Sequence, residues 1–585
     1  MSGNPMNRSP LKRVTTLLAL LMCAALVLTG CVDIPQSSPP QPIQSFDRKR
    51  PTNIVPTPRK SDDPETTARN FLKAMADPTA GHRSARKFLT PGASQRWDDQ
   101  GSMRVLQDVG VVIDERTATA VRLRVTGTRM AVLGPNGTLR PDSGSETIPL
   151  SMVRDKGGWK VNGDVPSGSI TDASQFLIAY RQVDLFFPDR TMTRLVGDPH
   201  WLYGTEPNPT TLVNRILAGP SAELTGAISQ GAARGASLLG AVIVARDTVT
   251  IPLGNVTATD QKDRTALAAQ LIWTLDYAGI TGTYRITADG APLVADRADG
   301  WRTADVSSLE PDPETTNAHP VHLIHNGSLT RLTGNRAVPV EGELGAAKDI
   351  VAAAISADTT KSAAIVKRAG RDVLLVGPYG GRQVEAVTGT AISSPSFGAD
   401  SNTGYVLVDG RPTRWDFDPE TMTARSGPID AAAIASVQPG PITQMRVSPD
   451  GVRVALVVDG RTVVGVISVN DVGAPSLSGA YQLAPDAQGV AVDITWSTPK
   501  ILYAARTGTE VPVWRATIAG TPPIPMVSGN LKPPVQDIAA SDSTVYVSDT
   551  RGVQQLGTGE VRPDQYWTIL GPDAGPGSIA VIPGS

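Results

Sequence analysis

The residue with the most distinctive chemistry in this sequence is Cys31, which ends the short stretch Leu28-Thr29-Gly30-Cys31. The run from Val14 to Val27 before it is apolar except for Thr15 and Thr16. Three basic side chains precede that run: Arg8, Lys12 and Arg13. A basic segment, an apolar segment of ~14 residues and a small-residue site, in this order, predict a secretory signal peptide over residues 1–30.

The stretch from Leu28 to Cys31 resembles the bacterial lipobox. This resemblance implies that the Cys31 thiol receives an S-diacylglycerol group, and that cleavage leaves Cys31 as an N-palmitoylated N-terminus. The protein would then be anchored by lipid at the extracytoplasmic face of the cell membrane. A plain secreted protein with an incidental cysteine is the alternative, and a permanent transmembrane helix fits less well because the apolar run is shorter than ~20 residues.

Three of the five histidines lie close together, at positions 319, 322 and 325. A three-residue spacing would align them on a helix, but Pro320 and the apolar residues 321–324 favour a strand. On a strand His322 points away from the other two, so we predict no metal site here.

Asp409, Asp416 and Asp418 surround Arg411 and Trp415, and we interpret these carboxylates as solvated groups in turns. The sequence contains no H-E-x-x-H, G-x-S-x-G, C-x-x-C or Walker motif. We therefore predict no catalytic, cofactor-binding or metal-binding residues, and a protein that is not an enzyme.

Composition restricts how the protein is stabilised and what it binds. Of the two cysteines, Cys23 would leave with the signal peptide and Cys31 would carry lipid, so no disulfide is predicted. The 54 basic and 56 acidic residues give a net charge of -2 without a basic block. Nucleic-acid binding is therefore not expected.

Two segments follow the predicted signal peptide. Residues 31–60 predict an extended tether of up to roughly 90 Å, because they are rich in proline: Pro35, Pro39, Pro40, Pro42, Pro51, Pro56 and Pro58.

Residues 61–166 predict helices followed by a sheet, with Ser61 or Asp62 capping the first helix. The buried face predicted for this first helix consists of Ala68, Phe71, Leu72 and Met75. Helices followed by a curved antiparallel sheet resemble the NTF2-like α+β cone. We see no His–Asp pair in this segment that could perform catalysis.

Residues 167–309 alternate between strand and helix patterns. Residues 183–187 predict a strand, and a long helix is predicted between Asp260 and Gly279. The order of elements, with Leu-Phe-Phe-Pro-Asp at 185–189 and Ala-Leu-Ala-Ala-Gln-Leu-Ile-Trp-Thr-Leu at 266–275, resembles the α/β GerMN domain. The resemblance implies a module that binds other molecules.

Residues 310–585 predict an all-β propeller, because similar β units recur every ~38 to ~52 residues. The turn Ser448-Pro449-Asp450-Gly451 is typical of the connection between the first two strands of a blade. We predict six blades, with seven possible. The last strand, near residues 578–582, is predicted to complete the blade that begins near Val321.

The lipobox, tether, cone, GerMN-like domain and propeller, in this order, resemble the actinobacterial LpqB lipoprotein family. This resemblance implies a non-catalytic accessory protein of the MtrA–MtrB two-component system. Its partner would be the extracytoplasmic domain of the sensor histidine kinase, with effects on cell-envelope and division responses. The alternatives are a hydrolase of cell-envelope glycan and a sensor that binds a ligand through the propeller or the GerMN-like domain.

Overall fold

The computed structural model describes residues 53–204, 206–229, 233–311, 320–469, 473–559 and 563–584. The predicted signal peptide, Cys31 and the tether up to residue 52 lie outside them. The unit Thr52–Ser585 is compact, and it contains three successive domains. Across the described ranges, every helix is too short or too polar to serve as a membrane span.

The described part of the first domain places three helices against one face of a sheet that is antiparallel except for the pair β1–β6. The sheet has the order β5-β4-β2-β1-β6, with β3 paired to β2. The expected layout of helices followed by a sheet is confirmed. The elements are α1 (Pro64–Met75), α2 (Thr79–Arg86), α3 (Pro91–Arg96), β1 (Met103–Arg116), β2 (Ala120–Leu133), β3 (Leu139–Pro141), β4 (Ser145–Asp155), β5 (Gly158–Val161) and β6 (Ser169–Asp172).

Helix α1 shows how local sequence determines this domain. Its cap is Asp63, whose carboxylate accepts a hydrogen bond from the Thr66 amide at 2.7 Å, and not Ser61 or Asp62 as predicted. Pro64 occupies the first turn, where a missing N–H costs nothing. The predicted apolar face is buried, with Phe71 fully inaccessible to solvent.

Residues that precede and follow the predicted range 61–166 also contact the first domain. Gln175 donates to the Asn53 side-chain oxygen at 2.9 Å, and Asn53 donates to the Tyr203 hydroxyl at 3.3 Å. Val55 packs against the core of the first domain. Strand β6 pairs in parallel with β1, starting at Met103 and Ser169. Residues 53–60 therefore lie on the folded body, although the predicted tether includes them.

The second domain packs helices against a sheet of order β10-β11-β12-β13, with β9 also paired to β11. Strands β11 and β12 are parallel and are connected through the long helix α6, which Asp260 caps as predicted. The elements are α4 (Ala173–Ala179), β7 (Tyr180–Pro188), β8 (Leu195–Tyr203), α5 (Pro209–Leu217), β9 (Ser237–Leu238), β10 (Ile243–Ala245), β11 (Thr248–Gly254), α6 (Gln261–Tyr277), β12 (Thr283–Ala288), β13 (Ala291–Pro292) and two 3-10 helices, Ala295–Arg297 and Thr303–Leu309.

The third domain consists of six four-stranded sheets, which confirms a six-bladed propeller. Blade 1 contains β14 (His322–His325), β15 (Ser328–Thr333), β16 (Arg336–Pro339) and β37 (Ile579–Val581). Helix α7 (Gly342–Ala346) precedes blade 2, which contains β17 (Ile350–Ile355), β18 (Lys361–Arg368), β19 (Arg371–Pro378) and β20 (Val384–Gly389). Blade 3 contains β21 (Ser396–Phe397), β22 (Thr403–Val408), β23 (Arg411–Asp418) and β24 (Thr423–Pro428).

Helix α8 (Ala432–Val437) leads into blade 4, which contains β25 (Ile442–Val447), β26 (Arg453–Val458), β27 (Arg461–Val469) and β28 (Pro475–Gln482). Blade 5 contains β29 (Ala491–Thr498), β30 (Ile501–Arg506), β31 (Val513–Thr517) and β32 (Ile524–Pro525). Blade 6 contains β33 (Asp537–Ala540), β34 (Thr544–Asp549), β35 (Gly552–Gly557) and β36 (Thr568–Ile569).

The ring closes in blade 1, as predicted. Strand β37 pairs with β14 in antiparallel register, with Val581 opposite His322 and Ile579 opposite Ile324. Val581 and Ile582 are buried. Because both ends of the propeller sequence contribute strands to blade 1, the inner edge of β14 is paired with β37 and is not left open.

Candidate functional site

Strand β8 contacts all three domains and organises a buried polar cluster that joins them. Its Gly197 carbonyl accepts a 2.6 Å hydrogen bond from Arg453 Nη2 in blade 4. The Trp201 indole N–H donates to the Ala519 carbonyl of blade 5 at 2.8 Å. The Trp201 amide donates to the Gly137 carbonyl of the first domain at 2.7 Å. The sequence pattern does not predict β8, although seven of its nine residues are buried.

Next to these contacts, His200 links the first and second domains. Its Nδ1 lies 2.9 Å from the Asn136 carbonyl oxygen, and its Nε2 lies 3.0 Å from Asp198 Oδ2. Asp198 Oδ2 also accepts the Ser221 amide at 2.7 Å. Burial alone would raise the pKa of Asp198, but the hydrogen bond and charge of His200 outweigh it and lower that pKa. The carboxylate is therefore held ionised inside the protein.

A second ion pair completes this cluster. Arg140 Nε of the first domain donates to Glu223 Oε1 of the second domain at 2.7 Å. The Arg140 guanidinium carbon lies 4.6 Å from the ring centroid of Tyr481 in blade 4, a cation–π distance. Burial tends to raise the pKa of Glu223, and the hydrogen bond and charge of Arg140 more than offset it. We call the group Arg140, Asp198, His200, Glu223, Arg453 and Tyr481 the three-domain junction.

Apolar packing supports the junction. Val452 and Val466 of blade 4 belong to the same buried cluster as the core of the second domain. Lys500 of blade 5 forms an ion pair with Asp184 of β7 at 3.0 Å. Since apolar burial and several buried polar contacts coincide here, the structure fixes one relative orientation of the three domains.

The inner strands of the propeller hold a second polar cluster. Arg446 of β25 donates to the Ser394 carbonyl at 3.0 Å and to Asp493 Oδ1 of β29 at 3.3 Å. Asp493 Oδ2 accepts the Ile538 amide of β33 at 3.0 Å. Both oxygens of Asp493 are thus engaged, and together these bonds link blades 3 to 6.

Asp537 lies beside this cluster. Burial, and secondarily the charge of Asp493, raise the pKa of Asp537 to about 6. Burial also raises the pKa of Asp493, against the opposing effect of Arg446. A hydrolase that uses two carboxylates needs both of them open to substrate. Asp493 is 3% exposed and has both oxygens bonded, so it does not meet that requirement.

The first domain contains a His–Asp pair, although the sequence led us to expect none in this segment. His82 Nδ1 lies 3.1 Å from Asp99 Oδ2, and Arg86 Nη2 lies 3.0 Å from Asp99 Oδ1. The His82 ring lies 5.4 Å from that of Trp97. Among the described residues, His82 Nε2 is buried and has no hydrogen-bond partner. The pair therefore lacks the hydroxyl or thiol that a His–Asp dyad would activate.

The two described members of the histidine group, His322 and His325, do not share a partner. His319 lies outside the described residues. His322 Nε2 is 2.7 Å from the Tyr379 hydroxyl, and burial lowers the pKa of His322 to about 4. His325 Nδ1 is 3.2 Å from Ser578 Oγ and so contributes to ring closure. These two histidines have different partners, as strand geometry predicts.

The three carboxylates of blade 3 each have a local partner. Asp409 accepts the Thr390 and Ala391 amides at 2.8 and 2.9 Å. Asp418 accepts the Glu420 amide at 2.9 Å, as expected for a turn. Asp416 lies within β23, not in a turn, and pairs with Arg414 at 2.6 Å. Four tryptophans of the described part of the propeller are buried as packing residues: Trp415, Trp496, Trp514 and Trp567.

The three domains match known protein families. Residues 57–177 match the model of the lipoprotein LpqB N-terminal domain, and residues 327–583 match that of the lipoprotein LpqB beta-propeller domain. Residues 184–294 match a model described as sporulation and spore germination. Lipoprotein LpqB of Mycolicibacterium smegmatis is 34% identical, over 98% of this chain and 100% of the relative.

The chain belongs to the lipoprotein LpqB family. LpqB proteins of Nocardia farcinica and Rhodococcus opacus are 33% and 31% identical, each over 99% of this chain and 100% of the relative. Among solved structures, TolB from Acinetobacter baumannii overlaps 41% of this chain and 61% of its own, with a TM-score of 0.32 and 14% identity. The three matched segments meet at the three-domain junction: Arg140 lies in the LpqB N-terminal match, Asp198 in the sporulation and spore germination match, and Arg453 in the LpqB propeller match.

Proposed function

We propose that this protein is a lipoprotein anchored at the extracytoplasmic face of the cell membrane through Cys31. There it acts as a non-catalytic accessory of a sensor histidine kinase of the MtrA–MtrB type, by contacting the kinase's extracytoplasmic domain. Effects on cell-envelope and division responses follow from this contact. The membership of the LpqB family and the sequence from Leu28 to Cys31 support the proposal.

The observation that carries the proposal is the three-domain junction. Because buried ion pairs and the bonds of β8 hold the three domains in one orientation, the protein presents its surfaces to a partner as one body. The polar clusters have structural partners: both ring nitrogens of His200 face oxygen atoms, and both oxygens of Asp493 are bonded. This is the arrangement expected of a protein that acts by contact.

The test shortens the segment between Cys31 and the folded domains, and so changes how far from the membrane these domains can extend. A tether determines the effective concentration of one partner near the other, and a tether that is too short to span the gap gives almost none. We expect that deleting about twenty residues within 32–52 will strongly reduce the output of the kinase in cells. The deletion must end before Asn53, which is bonded to Gln175 and Tyr203. A gene reporter under control of the kinase's response regulator measures the effect.

Two matched controls accompany the deletion. Scrambling residues 32–52 keeps their length and proline content, so it should preserve the output. Replacing them with a Gly/Ser segment of equal length keeps the contour length but removes the stiffness, so it should give an intermediate output. All variants must reach wild-type abundance and lipidation. Full output from the deletion would contradict an accessory role that depends on reach.

A glycan hydrolase is the second candidate, and the observation that favours it is the raised pKa of Asp537, a partly buried carboxyl group of the kind that a general acid requires. Asp537→Asn in the same reporter strain distinguishes the two candidates. An accessory protein should tolerate this isosteric change, whereas a hydrolase that uses Asp537 should lose its function. Loss of output with Asp537→Asn but not with the shortened tether would replace the accessory role by the hydrolase.

A further inference from the structure

Two buried polar atoms line one cavity where the second domain meets blade 4, and neither has a hydrogen-bond partner within the described part of the chain. They are Ser221 Oγ and Arg453 Nη1. Ser221 is fully buried and Arg453 is 4% exposed. A buried polar group without a hydrogen-bond partner costs roughly 1–3 kcal/mol, so two such atoms in one cavity indicate a missing partner.

The geometry leaves space for that partner. Arg453 Nη1 forms an ion pair with Asp450 Oδ2, but their separation of 3.6 Å is too long for a direct hydrogen bond. Ser221 and Arg453 line a cavity of about 20 Å³ together with Arg140, Asp198 and Glu223. A cavity needs about 10–15 Å³ to hold a water molecule, so this one has room for one.

The chemistry of the lining favours a neutral ligand. Arg140 and Arg453 contribute two positive charges, and Asp198 and Glu223 contribute two negative charges. An anion would face two carboxylates, and a cation would face two guanidinium groups. Water can accept a hydrogen bond from Arg453, donate one to a carboxylate, and do either with the Ser221 hydroxyl.

We propose that a single buried water molecule occupies this cavity and joins Ser221 of the second domain to Arg453 of blade 4. The water is then a structural component of the three-domain junction. It supplies the hydrogen bonds that the protein atoms do not make to one another.

The substitution Ser221→Ala distinguishes a hydrated cavity from an empty one by the sign of its effect. If water is bound, the variant removes one of its partners, and the melting temperature of the full chain should fall by roughly 1–3 °C. If the cavity is empty, the variant removes only an unsatisfied buried hydroxyl, so the melting temperature should stay or rise. The loss of one oxygen atom is small enough for the variant to fold.

Ser362→Ala is the matched control. Ser362 is also fully buried, and its hydroxyl also has no partner among the described residues, but it lies in β18 of blade 2, away from this cavity. We expect its removal to leave the melting temperature unchanged or slightly higher. A fall for Ser221→Ala together with no fall for Ser362→Ala supports the bound water. Equal effects of the two substitutions would overturn it.

A crystal structure of the full chain grown in sodium bromide provides the second readout. The proposal requires one density peak without anomalous signal within hydrogen-bond distance of Ser221 Oγ and Arg453 Nη1. An anomalous bromide peak in the cavity would show an anion site, and a cavity without density would show that it is empty. Either result would overturn the proposal.

Discussion

Removal of the strand that closes the propeller should abolish the cooperative unfolding of that domain. Deleting residues 578–585 removes β37 and its register with β14. Burying two residues the size of Val581 and Ile582 contributes about 3–6 kcal/mol, and the lost hydrogen bonds add about 2–3 kcal/mol. The sum approaches the 5–15 kcal/mol that stabilises a whole domain. The loss is therefore large enough to open the ring.

Differential scanning calorimetry of the full chain measures this effect as the loss of the propeller's thermal transition. A matched pair of substitutions tests the reasoning without truncation. Ile582→Ala, at a buried position of the closing segment, should cost about 2–5 kcal/mol. Ile569→Ala, on the outer strand of blade 6 where the side chain is 52% exposed, should cost less than about 0.5 kcal/mol. A truncated protein whose propeller melts at the wild-type temperature would refute closure by β37.

Two further predictions concern a titrating group and the anchor. The pKa of Asp537 is about 6 in the folded protein and about 3.9 in an unfolded chain, so ionisation penalises the folded state. The contribution of Asp537 to wild-type stability should therefore fall by up to about 3 kcal/mol as the pH rises from 4 to above 6, so Asp537→Asn should gain stability relative to the wild type over this range in urea unfolding. Parallel pH profiles for the two proteins would contradict it. Cys31→Ala should leave the precursor unlipidated and uncleaved, and fatty-acid labelling that persists in this variant would exclude Cys31 as the acceptor.

The propeller and the long helices could be predicted from sequence because their signals are local. The period-two pattern repeats with each blade, and the turn from Ser448 to Gly451 marks one strand junction. Helix α6 has Asp260 at its start and Gly279, with a φ of 84°, just after its end. Such patterns depend on neighbouring residues, which a single sequence shows directly.

Strand β8 and the three-domain junction could not be predicted, because what defines them is contact over long sequence distances. Arg140 and Glu223 are 83 residues apart, and Trp201 and Ala519 are 318 apart. The stretch Gly197-Asp198-Pro199-His200 contains turn-forming and polar residues, so it lacks the alternation that identifies a strand exposed on one face. Only burial by two other domains makes these residues favourable in a strand.

The His82–Asp99 pair was missed for a related reason. The two residues are 17 positions apart, and the chain around His82 adopts a left-handed conformation, with φ values of 50° at Ala80 and 51° at His82. No helical or strand period aligns them. A sequence can show that a domain contains a histidine and several carboxylates, but not that a turn of this kind brings two of them together.

The place where the chain joins the folded body determines how the body would respond to mechanical load. Asn53 is held by two residues of the second domain, Gln175 in α4 and Tyr203 at the end of β8. If Cys31 is fixed in a membrane, any pull on the body reaches it at this point. Residues 53–60 would detach first and lengthen the connection by roughly 26 Å, at about 3.3 Å per residue. This segment would thus act as an extensible link that yields before force reaches the cores of the domains.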